Sequence, residues 1–356
     1  MKFRSIISGE DKSLGGIAAR AVLTPLEWLY YGVSTARNCW YDYLPCAAAR
    51  VPVPVISVGN LTMGGTGKTP LVALIAQRLL SQGVNAAIIS RGYKSKPGEL
   101  NDEGKELVFR IPHCTYVQNP RRVQAAKTLI NSSDSPTDAI ILDDGFQHRK
   151  LARNLDIALL DALNPFGYGH ICPRGLLRES LAGLRRAQAV LITRADLVEE
   201  SALSDLEQRV LAINPNAVLA RVCHQPGGLV SSSGFIPIDN AAPNALEGKD
   251  VLAFCGLGNP DGFRHTVESL SCRIARFITF PDHYSYSVQD ENNITSQAKA
   301  LRAQAIVCSM KDYVKLSSSF KQSPAPLYGI QIDIRFLTGE EHFWNLLDST
   351  LTAFSR

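Results

Sequence analysis

Residues 51–80 read VPVPVISVGNLTMGGTGKTPLVALIAQRLL, and this stretch decides the fold. The β-branched run Val51–Val58 predicts a buried strand that ends at Gly59, and the apolar spacing of Lys68–Leu80 predicts a helix. The connector between them is rich in glycine. A strand, a glycine loop and a helix in this order are typical of a site where backbone N–H groups and a helix N-terminus bind phosphate.

The connector contains a phosphate-binding loop, TMGGTGKT, in which Thr62 stands where the strict motif has its first glycine. The alternative reading is a bare glycine turn. We expect Lys68 to neutralise the β and γ phosphates of a nucleotide and Thr69 to offer its hydroxyl to Mg²⁺. The candidate nucleotide-binding residues of the loop are Thr62, Met63, Gly64, Gly65, Thr66, Gly67, Lys68 and Thr69.

A second strand that delivers carboxylates is expected at Asp138–Asp144, which reads DAIILDD. Asp143 and Asp144 follow four apolar residues, and paired acids at the carboxyl end of a strand suit Mg²⁺ coordination and the ordering of water. The alternative is an acidic strand end with a solvated turn. Two further candidates, Asp156–Asp161 and Ala187–Thr193, complete a doubly wound parallel sheet. The predicted fold is therefore α/β and P-loop NTPase-like.

Composition excludes several classes of protein. The 356 residues are 45% hydrophobic and 20% charged, which argues against a disordered, collagenous or polytopic membrane chain. The net charge of +4 is too small to indicate nucleic acid, although it suits a protein that handles anions or rests on an acidic surface. The eight cysteines form no CxxC pair, so we expect neither a disulfide framework nor a structural zinc, and the reducing cytosol is the expected environment. No cleavable signal is apparent.

The N-terminal segment predicts an amphipathic helix. The apolar run Ala21–Val33 has 13 residues, short of the roughly 20 that a transmembrane helix needs. Such a helix can lie in a membrane interface with its aromatic residues near headgroup depth. The alternative is a surface helix packed on its own domain. Projected on a helix, one arc is polar and collects Lys12, Arg20, Glu27, Ser34, Arg37, Asn38 and Asp42.

The rest of the chain predicts a second, smaller α/β lobe. The stretch Gln225–Asn244 is rich in Gly, Ser, Pro and Asn, which is typical of a linker. Strand-like stretches follow at Val251–Cys255, Arg273–Phe280, Ala305–Cys308 and Leu327–Ile334. The expected domains are the N-terminal helix (residues 1–48), the P-loop core (49–224), the linker (225–248) and the C-terminal lobe (249–356).

Further blocks of sequence extend the P-loop motif. One block is DDGFQHRKLARNLDIALLDA, which begins at Asp143. Because of this block, the chain resembles the tetraacyldisaccharide 4'-kinase (lipid A 4'-kinase) family. Nine blocks in the right order carry the resemblance, and in this family a small hydroxyl residue is usual at the position of Thr62. The blocks are SGE at 8–10, PVPVISVGNLTMGGTGKTP at 52–70, SRGY at 90–93, NDE at 101–103, DDGFQH at 143–148, PRGLLRE at 173–179, GLGNP at 256–260, FPDHYSY at 280–286 and MKDYVKL at 310–316.

The resemblance implies transfer of the γ-phosphoryl group of ATP, with Mg²⁺, to the 4'-hydroxyl of a tetraacyl glucosamine disaccharide 1-phosphate in lipid A biosynthesis. It places the enzyme at the cytoplasmic face of the bacterial inner membrane. The expected partners are this lipid and the membrane surface, with no nucleic acid and no obligate protein partner. The family usually has a longer apolar anchor, which Arg20 and Glu27 interrupt here, so spanning and lying flat both stay open.

The resemblance also implies roles for individual residues. Asp102, in NDEGKEL, takes the position of the general base, and the alternative for this block is a surface Asp-Glu turn. His283 matches the family histidine that pairs with this base, although Asp282 beside it could serve instead. Asp143 and Asp144 carry over as metal and catalytic-site acids, without deciding which one touches Mg²⁺.

Other assignments from the resemblance concern the phosphates and the acceptor. Arg122 aligns with a family arginine near the phosphates, with Arg121 as the competing choice, and Glu179 aligns with a site glutamate. Gln147 and His148 are expected to orient the metal or the acceptor, while a packing role at a helix start is equally open for His148.

Two rival functions stay open at this point. The TRAD sequence at residues 193–196 is similar to a nucleotide-base motif of GTPases, although it also suits a helix cap, so one rival is a P-loop GTPase or metallochaperone. The other is a noncatalytic scaffold that rests on a membrane. If Asp102 belongs to the first lobe and His283 to the second, the active site lies in a cleft whose closure excludes water.

Overall fold

A computed structural model describes residues 2–93, 95, 98–132, 136–238, 244–322 and 325–354. The expected strand, loop and helix around the glycine motif are present. The helices are α1 (Lys2–Ser8), α2 (Leu14–Tyr43), α3 (Lys68–Ser81), α4 (Asp102–Arg110), α5 (Arg122–Ile130), α6 (Glu200–Ile213), α7 (Pro260–Glu268), α8 (Val288–Ala300), α9 (Met310–Tyr313), α10 (Ser318–Lys321) and α11 (Glu340–Thr352). The strands are β1 (Val55–Asn60), β2 (Ala86–Ser90), β3 (Thr115–Gln118), β4 (Ala139–Asp143), β5 (Leu155–Asp161), β6 (Ala189–Thr193), β7 (Val218–Ser231), β8 (Gly234–Pro237), β9 (Asp250–Cys255), β10 (Arg273–Thr279), β11 (Ala305–Ser309) and β12 (Leu327–Thr338).

The chain divides into two compact units. The first unit comprises Met1–Arg91, His113–Cys223 and Arg335–Arg356. Its strands follow the order β3-β2-β4-β1-β5-β6-β7, and every pair in this series is parallel. The chain winds from β1 towards β3 on one side and from β5 towards β7 on the other, so the expected doubly wound α/β fold is confirmed. A strand order of this kind places ligands beyond the carboxyl ends of the strands where the winding reverses, next to β1.

The central strands of the first unit are apolar on both faces. All residues of β1, β2, β4 and β6 are buried, as expected for a parallel sheet covered on both sides. Buried side chains pack there in two clusters, one around Leu61 and Phe146 and the other around Ile89 and Ile140. This packing makes the carboxyl ends of β1 and β4 a rigid support for the loops that follow them.

The second unit comprises Gly92–Pro112 and His224–Ile334. Its parallel strands follow the order β10-β9-β11-β12, and β8 pairs antiparallel with the end of β7. Two apolar clusters fill this unit, one around Phe254 and Tyr313 and one around Phe263 and Ile330. It is the second, smaller α/β lobe that the sequence predicts.

The compact units follow different boundaries from those expected from sequence. Helix α4, which begins at Asp102, belongs to the second unit, and α11 near the C-terminus belongs to the first. Residues 225–231 of the expected linker continue β7, and residues 234–237 form β8, because the apolar residues Leu229, Val230 and Phe235 lie in a paired hairpin. Residues 239–243 of that stretch lie outside the described residues.

Helix α2 binds the first unit through its polar face. Ser13 caps its N-terminus by accepting a hydrogen bond from the Gly16 N–H. Further along, Glu27 accepts a hydrogen bond from the Ile171 N–H at 2.8 Å, and the Asn38 amide donates to Glu179 at 2.6 Å. Glu27, Ser34 and Asn38 of the polar arc are therefore directed at the protein, whereas Lys12 and Arg37 of the same arc are exposed.

The apolar face of α2 is open. Trp28 and Leu29 keep 69% and 68% of their surface exposed, far more than side chains that pack on a neighbour. Other exposed apolar residues of the helix are Leu14, Ile17, Val22, Leu26, Tyr31, Val33, Trp40 and Tyr43. Among the described residues, no helix combines the length and apolar character that crossing a bilayer requires. The helix thus has the reverse of the usual arrangement, in which the apolar stripe faces the core.

Candidate active site

The phosphate-binding loop connects β1 to α3 in the first unit. Gly64 and Gly67 have φ angles of 127° and 86°, which side chains other than glycine rarely adopt. Gly67 is the residue that caps α3, and as a glycine it makes no side-chain cap hydrogen bond to the N-terminal N–H groups of this helix. These N–H groups and the helix dipole favour an anion at this position. The expectation of a strand, glycine loop and helix is confirmed.

Lys68, the first residue of α3, follows directly on this loop. Its ammonium lies 3.2 Å from Asn60 Oδ1 and 3.6 Å from Asp144 Oδ1. Asn60, at the end of β1, is fully buried, and its amide donates to the Thr62 carbonyl at 2.6 Å. Asn60 is not among the residues predicted from the sequence, although its place between the strand and the glycine loop is a signal. Asn60 therefore fixes both the loop backbone and the lysine.

Asp144 follows β4 in a left-handed conformation, with φ of 51°. Its two carboxylate oxygens each lie 2.8 Å from Arg178 Nη1. Burial alone would raise the pKa of Asp144, but the charges of Lys68 and Arg178 outweigh that effect and place the pKa below its ordinary value. Asp144 is thus an ionised carboxylate between two cations. Arg178 lies in the PRGLLRE block, but it is not among the site residues predicted from the sequence.

Asp143, Met63 and Arg122 also lie around this centre. Asp143 is the last residue of β4 and is buried, opposite Val58 in the sheet register. The Met63 N–H donates to the Leu176 carbonyl at 2.7 Å, which ties the glycine loop to the segment that carries Arg178. Arg122 is buried, and its guanidinium donates to the Asp144 carbonyl at 3.0 Å.

Arg121, the competing choice, is exposed. Of the two arginines, it is therefore Arg122 that reaches the acidic strand end. The buried Arg122 guanidinium is bonded to the backbone of the residue that contacts Lys68.

Glu179 is the acceptor of a buried hydrogen-bond network. The Arg186 guanidinium donates to its two oxygens at 2.5 and 2.9 Å, and the Gln147 amide donates at 2.9 Å. The same Gln147 nitrogen also donates to the Asn60 carbonyl at 2.9 Å. Burial raises the pKa of Glu179, but Arg186, Gln147 and Asn38 more than offset it, so the pKa lies below the ordinary value. Glu179 is therefore linked to the loop through Gln147.

His148 lies in the turn after β4 and is half-buried. Burial, with the nearby charges of Arg122 and Arg153, lowers the pKa of this imidazole to about 4. The ring is therefore neutral at pH 7. Its backbone N–H donates to the Gly145 carbonyl at 2.8 Å, which closes the turn after β4. His148 thus lies at a turn and not at a helix start, and its role in orienting the metal or the acceptor stays a prediction.

The TRAD sequence contacts the phosphate-binding loop. Arg194, with a φ of 56°, donates to the Gly65 carbonyl at 2.9 Å and forms an ion pair with Asp161 at 2.5 Å. Thr193 is buried at the end of β6, and its hydroxyl lies 3.4 Å from the Leu160 carbonyl. The sequence does not predict this contact between the TRAD motif and the loop backbone.

The residues of the first unit fit a magnesium ion. Mg²⁺ at phosphate sites takes one or two carboxylates, a hydroxyl, waters and the phosphates themselves. Thr69 and Asp143 supply a hydroxyl and a carboxylate of this kind, both buried at the ends of neighbouring elements. Nearby, the hydroxyl of the buried Thr66 has no hydrogen-bond partner in the part of the chain that the structure describes. That part contains no group of three or more His, Cys, Asp or Glu side chains that would hold a metal without a nucleotide.

The second unit brings Asp102 and His283 together. The Nδ1 atom of His283 lies 3.1 Å from Asp102 Oδ2. Asp102 is the first residue of α4, whose N-terminus is capped by Asn101, and its side chain keeps 18% exposure. His283 has a φ of 61° and keeps 44% of its side chain exposed. The condition that these residues come from different lobes is not met, because residues 92–112 belong to the second unit.

Two neighbours complete the surroundings of this pair. Asp282, the alternative to His283, lies 3.9 Å from His283 Nε2. Lys315, from the MKDYVKL block, places its ammonium 3.5 Å from Asp102 Oδ2. Lys315 is not among the site residues predicted from the sequence.

Comparisons with known proteins agree with these features. The family described as tetraacyldisaccharide-1-P 4'-kinase matches residues 19–352. A tetraacyldisaccharide 4'-kinase of Anaeromyxobacter sp. (strain Fw109-5) is 36% identical over 96% of this chain and 95% of its own length. The protein of that name from Syntrophus aciditrophicus (strain SB) is 35% identical over 90% of this chain and 91% of its own length.

The fold agrees with a solved structure. A crystal structure of LpxK from Aquifex aeolicus in complex with ATP matches with a TM-score of 0.72 at 27% identity, covering 94% of this chain and 99% of that chain. Together with the family match over residues 19–352, this similarity extends over both compact units rather than over the P-loop core alone. The chain therefore belongs to the tetraacyldisaccharide-1-P 4'-kinase family.

Proposed function

We propose that this lipid A kinase transfers the γ-phosphoryl group of ATP from the loop around Lys68 to the 4'-hydroxyl of its lipid acceptor, and that His283 with Asp102 takes up the hydroxyl proton. The acceptor is a tetraacyl glucosamine disaccharide 1-phosphate. One observation carries the proposal: the 3.1 Å contact between His283 Nδ1 and Asp102 Oδ2. A P-loop kinase needs such a proton acceptor in addition to its phosphate site.

The first unit supplies charge stabilisation of the phosphates. The N–H groups of the loop and of α3 cradle phosphate oxygens, and Lys68 neutralises charge that develops on the transferred group. Asp144, which Arg178 holds by an ion pair, contacts Lys68, so the lysine ammonium is positioned before ATP arrives. Thr69 and Asp143 are the residues that would hold Mg²⁺, which supplies further neutralisation of the β and γ phosphates when bound.

The geometry of the second unit favours His283 as the group that accepts the proton. Its Nδ1 atom faces Asp102, which fixes the tautomer with the Nδ1 proton and leaves Nε2 as the acceptor. Asp102 is the less exposed of the two and already contacts Lys315. We therefore exchange the roles expected from the sequence: His283 receives the proton of the 4'-hydroxyl, and Asp102 orients the ring and stabilises its positive charge.

The open apolar face of α2 supports a position at the membrane surface. An acceptor with four acyl chains does not leave a bilayer readily, so an enzyme that rests in the interface meets it there. Exposed Trp28, Leu29 and Trp40 are the residue types that occupy this depth. The docked polar contacts of Glu27 and Asn38 hold the opposite face against the protein. We propose that α2 lies flat at the cytoplasmic face of the inner membrane.

A labelled-lipid assay tests the proposed activity. Purified protein is incubated with Mg²⁺, γ-labelled ATP and the tetraacyl disaccharide 1-phosphate in detergent micelles. We expect label in the lipid fraction, and no label when the acceptor already carries a 4'-phosphate. The variant Lys68→Met is the matched control for the phosphate site. Folded protein that leaves the lipid unlabelled would overturn the proposal, and labelling of the 4'-blocked acceptor would overturn the position of transfer.

The GTPase or metallochaperone alternative is less well supported. The sequence feature that favours this alternative is the TRAD stretch at residues 193–196. Arg194 of this stretch contacts the backbone of the phosphate-binding loop. The noncatalytic scaffold is disfavoured because Lys68, Asp144 and Arg178 form a charged cluster at the helix N-terminus. Family membership favours the kinase over both.

A further inference from the structure

Lys315 lies at a junction of three oxygen atoms in the second unit. Its ammonium donates to the Tyr284 carbonyl at 2.9 Å, lies 3.1 Å from Asp312 Oδ1 and lies 3.5 Å from Asp102 Oδ2. Only 7% of its side chain is exposed. An ammonium has three N–H donors; one of them donates to the Tyr284 carbonyl, and the two carboxylate oxygens are ion-pair contacts. The ammonium is therefore surrounded by protein oxygen atoms.

Asp312 fixes Lys315 from the interior. This carboxylate is fully buried, and its Oδ2 atom accepts hydrogen bonds from the Gly256 N–H at 3.0 Å and from the Ser309 hydroxyl at 2.6 Å. Gly256 follows β9, and Ser309 ends β11. A buried carboxylate that is bonded to two strand ends has little freedom to move. Lys315 is therefore tied to the rigid sheet of this unit.

The other two contacts of Lys315 reach one member of the proposed proton-accepting pair and the backbone next to the other. Asp102 is one member, and Tyr284 directly follows the other, His283. The left-handed backbone of His283, with φ of 61°, is a conformation that surrounding contacts must maintain in a residue other than glycine. The hydrogen bond from Lys315 to the Tyr284 carbonyl is such a contact. One ammonium thus holds the carboxylate and the turn that carries the imidazole.

We infer that Lys315, anchored by Asp312, is a positioning residue that sets the distance and orientation between Asp102 and His283. This inference rests on the proposed function of the pair. Lys315 does not touch the acceptor, and it acts by keeping Asp102 Oδ2 where the Nδ1 proton of His283 points at it. The geometry for proton transfer is strict, since a displacement of about 1 Å can cost on the order of 100-fold in rate.

A double-mutant cycle separates this role from a merely structural one. Turnover numbers and Michaelis constants for ATP and acceptor are measured for the wild type, Lys315→Met, His283→Ala and the double variant. We expect Lys315→Met to lower kcat by about 10- to 100-fold and to leave KM for ATP within about twofold. On the His283→Ala background the same substitution is expected to cost less than about threefold, because a residue that acts through His283 has nothing left to position.

Lys321→Met is the matched control for this cycle. Lys321 belongs to the same unit, and its ammonium lies 4.8 Å from the centre of the Tyr313 ring. We expect it to keep turnover within about twofold of the wild type. A kcat loss for Lys315→Met that is equal with and without His283 would overturn the inference, and so would an unchanged kcat. If His283→Ala itself keeps full turnover, the assignment of the pair fails first, which is a different result.

A second substitution covers the case in which Lys315→Met does not fold, as judged from its thermal unfolding. Lys315→Arg keeps the positive charge, but its planar group cannot meet three oxygens arranged around one nitrogen. We expect it to fold, to recover part of kcat relative to Lys315→Met where both fold, and to show the same loss of effect on the His283→Ala background. Full wild-type kcat in Lys315→Arg, or an equal loss on both backgrounds, would contradict the inference.

Discussion

The guanidinium of Arg194 donates a hydrogen bond to the carbonyl oxygen of Gly65 at 2.9 Å, so the end of β6 supports the middle of the phosphate-binding loop. Asp161 holds the other side of the same guanidinium at 2.5 Å. The loop conformation that binds phosphate therefore depends on a residue about 130 positions away in sequence, and this dependence can be measured.

Arg194→Ala is expected to raise KM for ATP by about tenfold, because a charge-assisted hydrogen bond that orders the loop is worth about 1.5–3 kcal/mol. The measurement is steady-state kinetics with ATP and with GTP. The ratio of the two nucleotides is expected to stay constant, since Arg194 contacts the loop backbone. The matched control is Arg209→Ala, whose guanidinium lies over the Phe166 ring at 4.3 Å. A change in the ATP to GTP ratio would contradict a purely supporting role.

His283→Ala is expected to lower kcat by about 10²- to 10⁴-fold, the range that a positioned proton acceptor contributes. KM for ATP is expected to stay within about twofold, because the phosphates are bound by the loop around Lys68. The control is His265→Ala in the same unit, a histidine whose side chain is 79% exposed. Turnover at the wild-type level in His283→Ala would rule out its proposed role.

Glu179→Gln is expected to lower the thermal unfolding midpoint at pH 7, because it leaves the charge of Arg186 uncompensated in a buried site, at a cost of about 3 kcal/mol. The pKa of Glu179 lies below its ordinary value, so the carboxylate stabilises the fold above its unfolded pKa of about 4.3. That contribution is lost as pH falls through the lower folded pKa.

The difference in unfolding midpoint between wild type and Glu179→Gln should therefore be full at pH 7 and shrink below about pH 4. The exposed Glu341→Gln serves as the control. A difference that stays constant with pH would show that ionisation of Glu179 does not contribute.

Gly59→Ala is expected to destabilise the first unit by about 1–3 kcal/mol, as overpacking in a close-packed core does. A Cβ at Gly59 would lie 2.6 Å from Phe146 Cβ and 2.7 Å from its backbone nitrogen, closer than such atoms can approach. The measurement is the unfolding midpoint. Gly32→Ala, on the open side of α2 with no atom within 4 Å, is the matched control and should be neutral or slightly stabilising. Equal effects of the two changes would argue against the close approach.

Trp28→Glu combined with Leu29→Glu is expected to weaken binding to phospholipid vesicles more than tenfold, since each apolar side chain contributes about 1.5–3 kcal/mol when buried. Co-sedimentation with vesicles measures this effect, and KM for ATP should not change. The control is Leu301→Glu, an exposed apolar residue of the second unit. Vesicle binding as strong as that of the wild type would show that α2 does not rest on the membrane.

Much of the fold could be predicted from local sequence. The strand, loop and helix around Lys68 and the acidic strand that ends at Asp143 follow from apolar runs and glycine spacing, which act over a few residues. The boundaries of the compact units could not be predicted in the same way. Composition marks residues 225–244 as a linker, whereas long-range pairing makes part of that stretch the end of β7 and the strand β8.

The same limit applies to the site. Lys68 and Asp144 lie in a recognisable local motif, and the structure brings them to 3.6 Å. Arg194 and Lys315 contact Gly65 and Asp102 across large separations in sequence, and the TRAD and MKDYVKL blocks do not show which residues they contact. Their contacts depend on which strand ends lie side by side, and that depends on the complete sheet.

The assembly of the second unit from two separate stretches, Gly92–Pro112 and His224–Ile334, limits how the gene can be divided. A fragment that starts at residue 224 would retain the imidazole of His283 and would lose the carboxylate of Asp102. If the chain were expressed as two fragments divided near residue 224, helix α4 of the N-terminal fragment would have to pack against the C-terminal fragment. Minimal versions of this enzyme are better obtained by trimming loops than by excising a lobe.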